Sequence, residues 1–309
     1  MSVPVMDTSI VRVENVSHFY GEVKALNQVN LDLNHGRWAL VGPNGAGKTT
    51  LVKILLGILK PTQGATYILG KNAREMGRNV LRYVGYVPEI EALPYDWTAI
   101  DFVSHLGHFS GMSKHDAFRR ANEVLNYVGM GEMRLRKIGS LSQGNRQKVK
   151  IATALVHDPD LLVFDEPTSG LDPNSRESVL EIIKELGDEG KSTIVSTHIM
   201  SDVEKICDNV IFLFNGEVRG VVKTKEADKV VNRISIKTNM PDALSKALQE
   251  KGYVVTRSGP YVIVKGKNND EIYTEILKLA KQLDASISKM GHALLGIEEY
   301  YLSLMGGEI

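Results

Sequence analysis

The run Gly42-Pro43-Asn44-Gly45-Ala46-Gly47-Lys48-Thr49-Thr50 fits the phosphate-binding pattern G-x-x-x-x-G-K-[ST] in full. Before it, Trp38 to Val41 is a continuous apolar stretch of buried-strand length. After it, Leu51, Ile54, Leu55 and Ile58 recur at three- and four-residue spacing, one face of a helix. Strand, glycine-rich loop and helix in that order give the pattern a mechanism. Gly42, Gly45 and Gly47 allow positive φ and close backbone approach. The loop's N–H groups can then converge on an anion at a positive helix start. Lys48 is expected at the β- and γ-phosphates of a bound nucleotide, and the Thr49 hydroxyl on Mg²⁺.

A second stretch suits the same chemistry. Leu161-Leu162-Val163-Phe164-Asp165-Glu166 is an apolar strand ending in two acids. Carboxylates at the carboxyl end of a buried parallel strand lie where ligands of such sheets bind. One acid suits hydrated Mg²⁺ and the other can polarise an attacking water. Thr193-Ile194-Val195-Ser196-Thr197 reads as a parallel neighbour that delivers His198 to the same edge, where it can contact a γ-phosphate. Leu141-Ser142-Gln143-Gly144-Asn145-Arg146-Gln147 leads into a helix through Leu155. Ser142 is placed as its N-cap, and its hydroxyl with the Gly144 backbone could bind an anion. Asp172-Pro173 caps a further helix with apolar face Val179, Ile182, Ile183 and Leu186, closed by Gly187.

Residues 10 to 35 alternate apolar and polar, which reads as antiparallel strands with Gly21 in the turn. Tyr20, at the tip, suits either stacking on a purine ring or packing at a strand edge, and the pattern leaves both open. Lys60-Pro61-Thr62-Gln63-Gly64 stops the first helix, with strands expected at Ala65 to Leu69 and within Val80 to Val87. Thr98 with Asp101, and Ser113 with Asp116, mark helix starts for helices over 101–109 and 115–128. His105 and His108 lie three apart on the first of these, without the acids or cysteines that would complete a metal site.

Composition narrows the function classes. Among 309 residues, Lys+Arg and Asp+Glu both number 37, so the chain lacks the positive excess of a sequence-independent nucleic-acid binder. Cys207 is the only cysteine, which precludes an intrachain disulfide and suits a reducing compartment. No run approaches the ~18 apolar residues that span a bilayer. Met1 to Ile10 has neither the basic start nor the apolar core of a signal peptide. A soluble, cytoplasmic chain is expected, held at a membrane only by a partner.

Taken together, the motifs resemble those of the ATP-binding subunit of an ABC transporter, over about residues 10 to 220. Tyr20 stands at the adenine-stacking position, Gly42 to Thr50 at Walker A and Glu89 at the Q-loop. Leu141 to Gln147 stands at the signature and Leu162 to Glu166 at Walker B. Ser169-Gly170-Leu171-Asp172 matches the D-loop, and His198 the switch histidine. The resemblance implies a nucleotide-sandwich dimer of identical or different ATPase subunits. ATP held by Lys48 and Thr49 of one protomer would be covered by Ser142, Gln143 and Gly144 of the other. Glu166 would be the general base, with Lys48 and His198 on the γ-phosphate. Thr49, Glu89 and Asp165 would hold Mg²⁺, and Asp172 would cross the interface. Gly42, Pro43, Asn44, Gly45, Ala46, Gly47 and Thr50 would complete the nucleotide cradle. Two departures stand out: the signature reads Leu-Ser-Gln-Gly-Asn, and a glutamate, Glu89, replaces the usual Q-loop glutamine. Both variants resemble the ABC-2 exporter branch. This implies a separate transmembrane permease, a place on the cytoplasmic face of the cell membrane, and no nucleic-acid partner. The rival is a soluble ABC ATPase working on nucleic acid or ribosomes. About ninety residues between Walker A and the signature leave no room for the long heptad run of the DNA-repair members, and one cassette, not two, separates it from the translation-factor members.

The expected fold is α/β over residues 1–222: a P-loop ABC ATPase domain with a mixed sheet core, an antiparallel β subdomain and a helical insert at about 92–145. Residues 225–309 form a smaller C-terminal accessory domain. Its strand at Ile234 and Ile236, helix at Leu244 and Leu248 closed by Gly252, and strands at Tyr253–Thr256 and Tyr261–Val264 begin a β-α-β-β-α-β order. A helix with Ile272, Ile276, Leu279 and Leu283, and a strand at Ala285–Ser288, complete an α+β ferredoxin-like sandwich. A last helix is expected over Ile297 to Met305. This appendage carries no catalytic constellation and reads as a packing or dimer-stabilising module, with a regulatory ligand site as the alternative.

Overall fold

The computed structural model describes residues 9–224, 233–258, 261–265 and 269–292. Two compact units divide between Val221 and Val222. The first opens with the hairpin β1 (Ser9–Tyr20) and β2 (Val23–Asn34), turning at Gly21 with φ 60°. It continues with β3 (Arg37–Val41), α1 (Lys48–Leu55), β4 (Gln63–Ile68), β5 (Lys71–Asn72), α2 (Ala73–Met76) and β6 (Val84–Val87). Three helices follow, α3 (Ala99–Phe109), α4 (Lys114–Tyr127) and α5 (Gln143–Leu155). Then come β7 (Leu161–Asp165), α6 (Pro173–Asp188), β8 (Ser192–Thr197), α7 (Met200–Ile206), β9 (Asn209–Phe214) and β10 (Glu217–Lys223).

Two sheets sandwich α1. The antiparallel sheet runs β2-β1-β4-β5, and the larger sheet β10-β9-β3-β8-β7-β6 is parallel from β9 through β6. Leu51, Val52, Ile54 and Leu55 of α1 are buried in one cluster with Val11, Leu31 and Ile68 of the first sheet and Leu40, Val163 and Ile194 of the second. Each such side chain contributes about 2 kcal/mol of transfer free energy. The central parallel strands are buried on both faces: β7 and β9 are largely apolar, whereas β8 buries Ser192, Thr193, Ser196 and Thr197 beside Ile194 and Val195. Their order puts β3, which leads into the phosphate loop, beside β8, and β8 beside β7, which ends at Asp165. Three motifs far apart in sequence therefore finish at one sheet edge.

The helices α3, α4 and α5 pack on one another, and Val103 of α3, Ala117, Ala121, Val124 and Leu125 of α4, and Val149, Ile151 and Ala152 of α5 are buried. Gly107 permits the close α3–α4 crossing, since a Cβ there would lie 3.0 Å from Val156 Cγ2 and 3.3 Å from Ala117 Cβ. Thr98, Ser113, Ser142 and Asp172 each cap their helix, as their sequence positions indicate.

The strand expected within Val80 to Val87 is found at Val84–Val87, after a 3-10 turn over Gly77–Arg82. Two expectations in this unit shift. Helix α1 stops at Leu55 and leaves Ile58 exposed, because Gly57 takes φ 65° and turns the chain. Gly187 lies inside α6 and does not close it. It makes room for Arg37, whose Cδ would be 2.4 Å from a Cβ at that position, and Gly190 at φ 93° turns the chain instead.

The second unit holds β11 (Arg233–Thr238), α8 (Pro241–Glu250), β12 (Val254–Ser258), β13 (Tyr261–Lys265), α9 (Asn269–Gln282) and β14 (Ile287–His292). The sheet is antiparallel in the order β12-β13-β11-β14. Ile234, Ile236, Val262 and Val264 pack against Leu244, Leu248, Ile272, Ile276 and Leu279. The last strand begins at Ile287, two residues after the expected start at Ala285. The helix expected over residues 297–305 lies outside the described residues.

Candidate nucleotide site

The phosphate loop is folded by contacts that only glycine permits. A Cβ on Gly42 would lie 2.2 Å from Leu213 O, and one on Gly47, at φ 104°, 2.5 Å from Ala25 O. Gly45, at φ 82°, has open space where a Cβ would stand. Within the loop Ala46 N donates to Pro43 O (3.1 Å), and Gly216 N ties the loop to β10's approach through Ala46 O (2.9 Å). Gly47 starts α1 with no side chain capping the helix. Its first-turn amides therefore remain available for an external acceptor. That uncapped start, with Asn44 and Gly45 exposed beside it, suits a phosphate ligand.

Lys48 curls back over the loop. Its Nζ donates to Gly42 O (2.7 Å) and Pro43 O (3.3 Å) and stands 3.2 Å from Glu166 Oε1. Glu166 Oε1 is buried and accepts no hydrogen bond, so the lysine charge is its neighbour. The other oxygen, Oε2, meets His198 Nδ1 at 3.0 Å, with the imidazole half exposed. The structure thus brings together Lys48, Glu166 and His198.

Asp165 is buried at the end of β7 and accepts the Ser196 hydroxyl on Oδ1. Burial, and then the Asp165 charge, push the Tyr86 phenol well above its ordinary range. A carboxylate oriented in this way is a hard oxygen donor of the kind that Mg²⁺ takes, and the Thr49 hydroxyl on the first turn of α1 is of the same kind. No group of three or more acids, histidines or cysteines could hold a metal among the described residues. Mg²⁺ fits such a place because it takes few protein ligands and completes its shell with phosphate and water.

Glu89 is exposed, and its backbone carbonyl accepts from Lys150 Nζ at 3.3 Å. Lys150 is itself buried, which lowers its pKa against the opposing pull of Glu91, Glu89 and Asp165. Arg146 pairs with Glu91 close by. Glu89, Gln143, Gln147, Lys150, Glu166 and Ser169 line one small cleft. The loop carrying Glu89 is thereby tied to the helix that carries the signature segment.

Ser142 is exposed and its hydroxyl accepts from Asn145 N (3.3 Å). Gly144 is buried, and a Cβ there would lie 2.2 Å from Ser175 Oγ, so this glycine also allows α5 to start against α6. Asp172 is exposed and accepts from Asn174 N and Ser175 N at 3.1 Å each. Hydrogen bonds from the Ser175 side chain and backbone hold its carboxyl below the usual range. Tyr20 is exposed at the hairpin end, edge-on to His18 with ring centroids 4.7 Å apart. His105 is sandwiched between Trp97 and Phe109, and His108 Nδ1 meets Met112 O, so the two histidines serve local packing.

Sequence reasoning missed Ser196, Tyr86 and Lys150, and also the triad in which Thr168 Oγ1 (2.7 Å) and Arg176 Nε (2.9 Å) meet opposite oxygens of buried Asp202. Tyr86 and Ser196 lie in strands, Lys150, Arg176 and Asp202 in helices, and Thr168 in the turn after β7. The one available signal was a hydroxyl or charge placed where the periodicity demands burial.

A family model described as ABC transporter matches residues 26–169. An uncharacterized ABC transporter ATP-binding protein, YxlF of Bacillus subtilis, is 35% identical over 249 residues, covering 79% of this chain and 81% of that protein. The Nod factor export ATP-binding protein I of Cupriavidus pinatubonensis is 32% identical, over 74% of this chain and 70% of its own length. Among solved structures, the dimeric post-hydrolysis state of the ATP-binding cassette MJ0796, bound to ADP and Pi, superposes with a TM-score of 0.63 at 30% identity. That match covers 69% of this chain and 98% of the cassette.

Proposed function

The chain belongs to the ABC transporter family as an ATP-binding, ATP-hydrolysing subunit, and from that premise we propose that it energises export through a separate transmembrane permease. The observation that carries the chemistry is the Glu166 carboxylate held between Lys48 at 3.2 Å and His198 at 3.0 Å. It puts a buried base beside the phosphate loop. The α1 amides, Lys48 and Thr50 bind the triphosphate, and Tyr20 stacks on the adenine. Thr49, Asp165 and Glu89 would hold Mg²⁺, which would supply neutralisation of charge on the phosphate oxygens. Glu166 takes the proton of the attacking water as its oxygen bonds to the γ-phosphorus and the bond to the ADP oxygen breaks. His198 keeps Glu166 oriented and contacts the γ-phosphate.

Ser142, Gln143 and Gly144 act on the nucleotide of a second protomer, and Asp172 crosses to it. The exposed Ser142 and Asp172 and the dimeric cassette among the structural relatives support this sandwich. Export is supported by the Nod factor relative and by the Glu89 and Leu-Ser-Gln-Gly-Asn variants. No helix among the described residues is long and apolar enough to cross a membrane, and a permease would hold the subunit at the cytoplasmic face.

Purification of the tagged chain from detergent-solubilised membranes of its host tests the partnership. A stoichiometric multi-span protein is the expected companion. Ribosomes or nucleic acid, with no membrane protein, would overturn the transporter reading.

A further inference from the structure

We propose that Ser196 is a positioning residue for hydrolysis, its hydroxyl locking the two acids at the end of β7 into a single arrangement. The proposal rests on the site reading above and concerns a residue that no motif includes. Parallel pairing of β7 and β8 sets Asp165 opposite Ser196. Ser196 is fully buried, as is the Asp165 it bonds. Its hydroxyl donates to Asp165 Oδ1, and accepts from Glu166 N at 3.1 Å. The Ser196 carbonyl takes the same N–H at 3.1 Å.

A serine hydroxyl has one proton to give, and here it goes to Asp165. The rotor is then fixed and a lone pair faces the next residue's amide. That amide belongs to a residue under strain: Glu166 has φ 46°, in the left-handed region that disfavours side chains other than glycine. Such a conformation persists where its surroundings over-determine it, and the two acceptors of Ser196 do so. The hydroxyl has no packing purpose that alanine or valine would not serve more cheaply in a fully buried strand. Its use is geometric. It couples the Asp165 carboxylate to the backbone that aims the Glu166 side chain between Lys48 and His198.

The test uses the full chain with Ser196→Ala, Ser196→Cys and Ser196→Thr. Alanine should lower kcat about ten- to a hundredfold, the scale of an ångström-level misplacement. The KM for ATP should stay within about twofold, with a several-fold rise in the Mg²⁺ concentration giving half-maximal rate, because both acids act after ATP has bound to the loop. In the nucleotide-free protein, hydrogen exchange at the Glu166 amide should quicken. Threonine, which keeps the hydroxyl, should recover most of the rate, and cysteine should behave like alanine. Wild-type kcat, Mg²⁺ dependence and amide exchange in Ser196→Ala would overturn the proposal. If the alanine variant does not fold, equal kcat for the cysteine and threonine variants would overturn it. Glu166→Gln separates the two levels: if it hydrolyses ATP normally the site reading fails, whereas an inactive Glu166→Gln beside a normal Ser196→Ala sinks only the role of Ser196.

Discussion

Lys48 Nζ and Glu166 Oε1 stand 3.2 Å apart, with their side chains only 7% and 8% exposed. Lys48 opens α1, which follows β3, and Glu166 comes directly after β7, with β8 lying between those strands in the sheet. A buried pair of this kind adds little net stability, but removing one partner strands the other's charge. Lys48→Ala is therefore expected to lower the unfolding free energy by about 3 kcal/mol, besides weakening ATP binding. Lys48→Ala combined with Glu166→Gln should recover most of that stability and none of the binding. Urea denaturation of the two variants checks it; equal destabilisation in both would show that the pair is not coupled.

The loop glycines divide by what surrounds them. Gly42→Ala would drive a Cβ into the Leu213 carbonyl, and overpacking of that kind costs about 1–3 kcal/mol. Gly45→Ala meets open space and bears only the left-handed strain of about 1–2 kcal/mol. Melting curves should rank Gly42→Ala below Gly45→Ala, and the reverse ranking would contradict the packing described.

Asp202 is buried while it ties Thr168, after β7, to Arg176 on α6. Asp202→Ala should cost about 3 kcal/mol, toward the low end for a buried ion pair, because Arg176 keeps some contact with solvent. Unfolding free energies of the variant and the parent measure this, and a change below about 1 kcal/mol, the value of a surface pair, would refute it.

Burial raises the Cys207 thiol well above its ordinary pKa. The thiolate is the reactive form. A thiol-disulfide reagent at pH 8 should leave the native protein unmodified for as long as it stays folded, and consume one equivalent in denaturant. Rapid labelling of the native chain would mean that α7 opens readily.

Much of this architecture could be read from local pattern. The phosphate loop, its flanking strand and the caps Thr98, Ser113, Ser142 and Asp172 are signals within a few residues of one another, and the structure shows those caps formed. The failures have a common origin in tertiary contact. Gly187 looked like a helix stop, yet it is small because Arg37 passes over it. Ile58 kept the helical period of α1, but the turn at Gly57 intervenes. Ser196 sits in an ordinary strand, and its two bonds reach across the sheet to residues about thirty positions earlier. No periodicity encodes that reach. The fold was legible where sequence neighbours decide it, and the supporting bonds of the site were not.

Glu166 is the residue on which hydrolysis depends most directly. The decisive measurement is ATP turnover and sedimentation of Glu166→Gln beside the parent chain, with MgATP present. Loss of the general base should reduce turnover at least a hundredfold, as such catalysis contributes about 10²–10⁴, while ATP still binds and a dimer accumulates. Hydrolysis at the parent's rate, with no ATP-dependent dimer, would contradict both the role of Glu166 and the nucleotide sandwich.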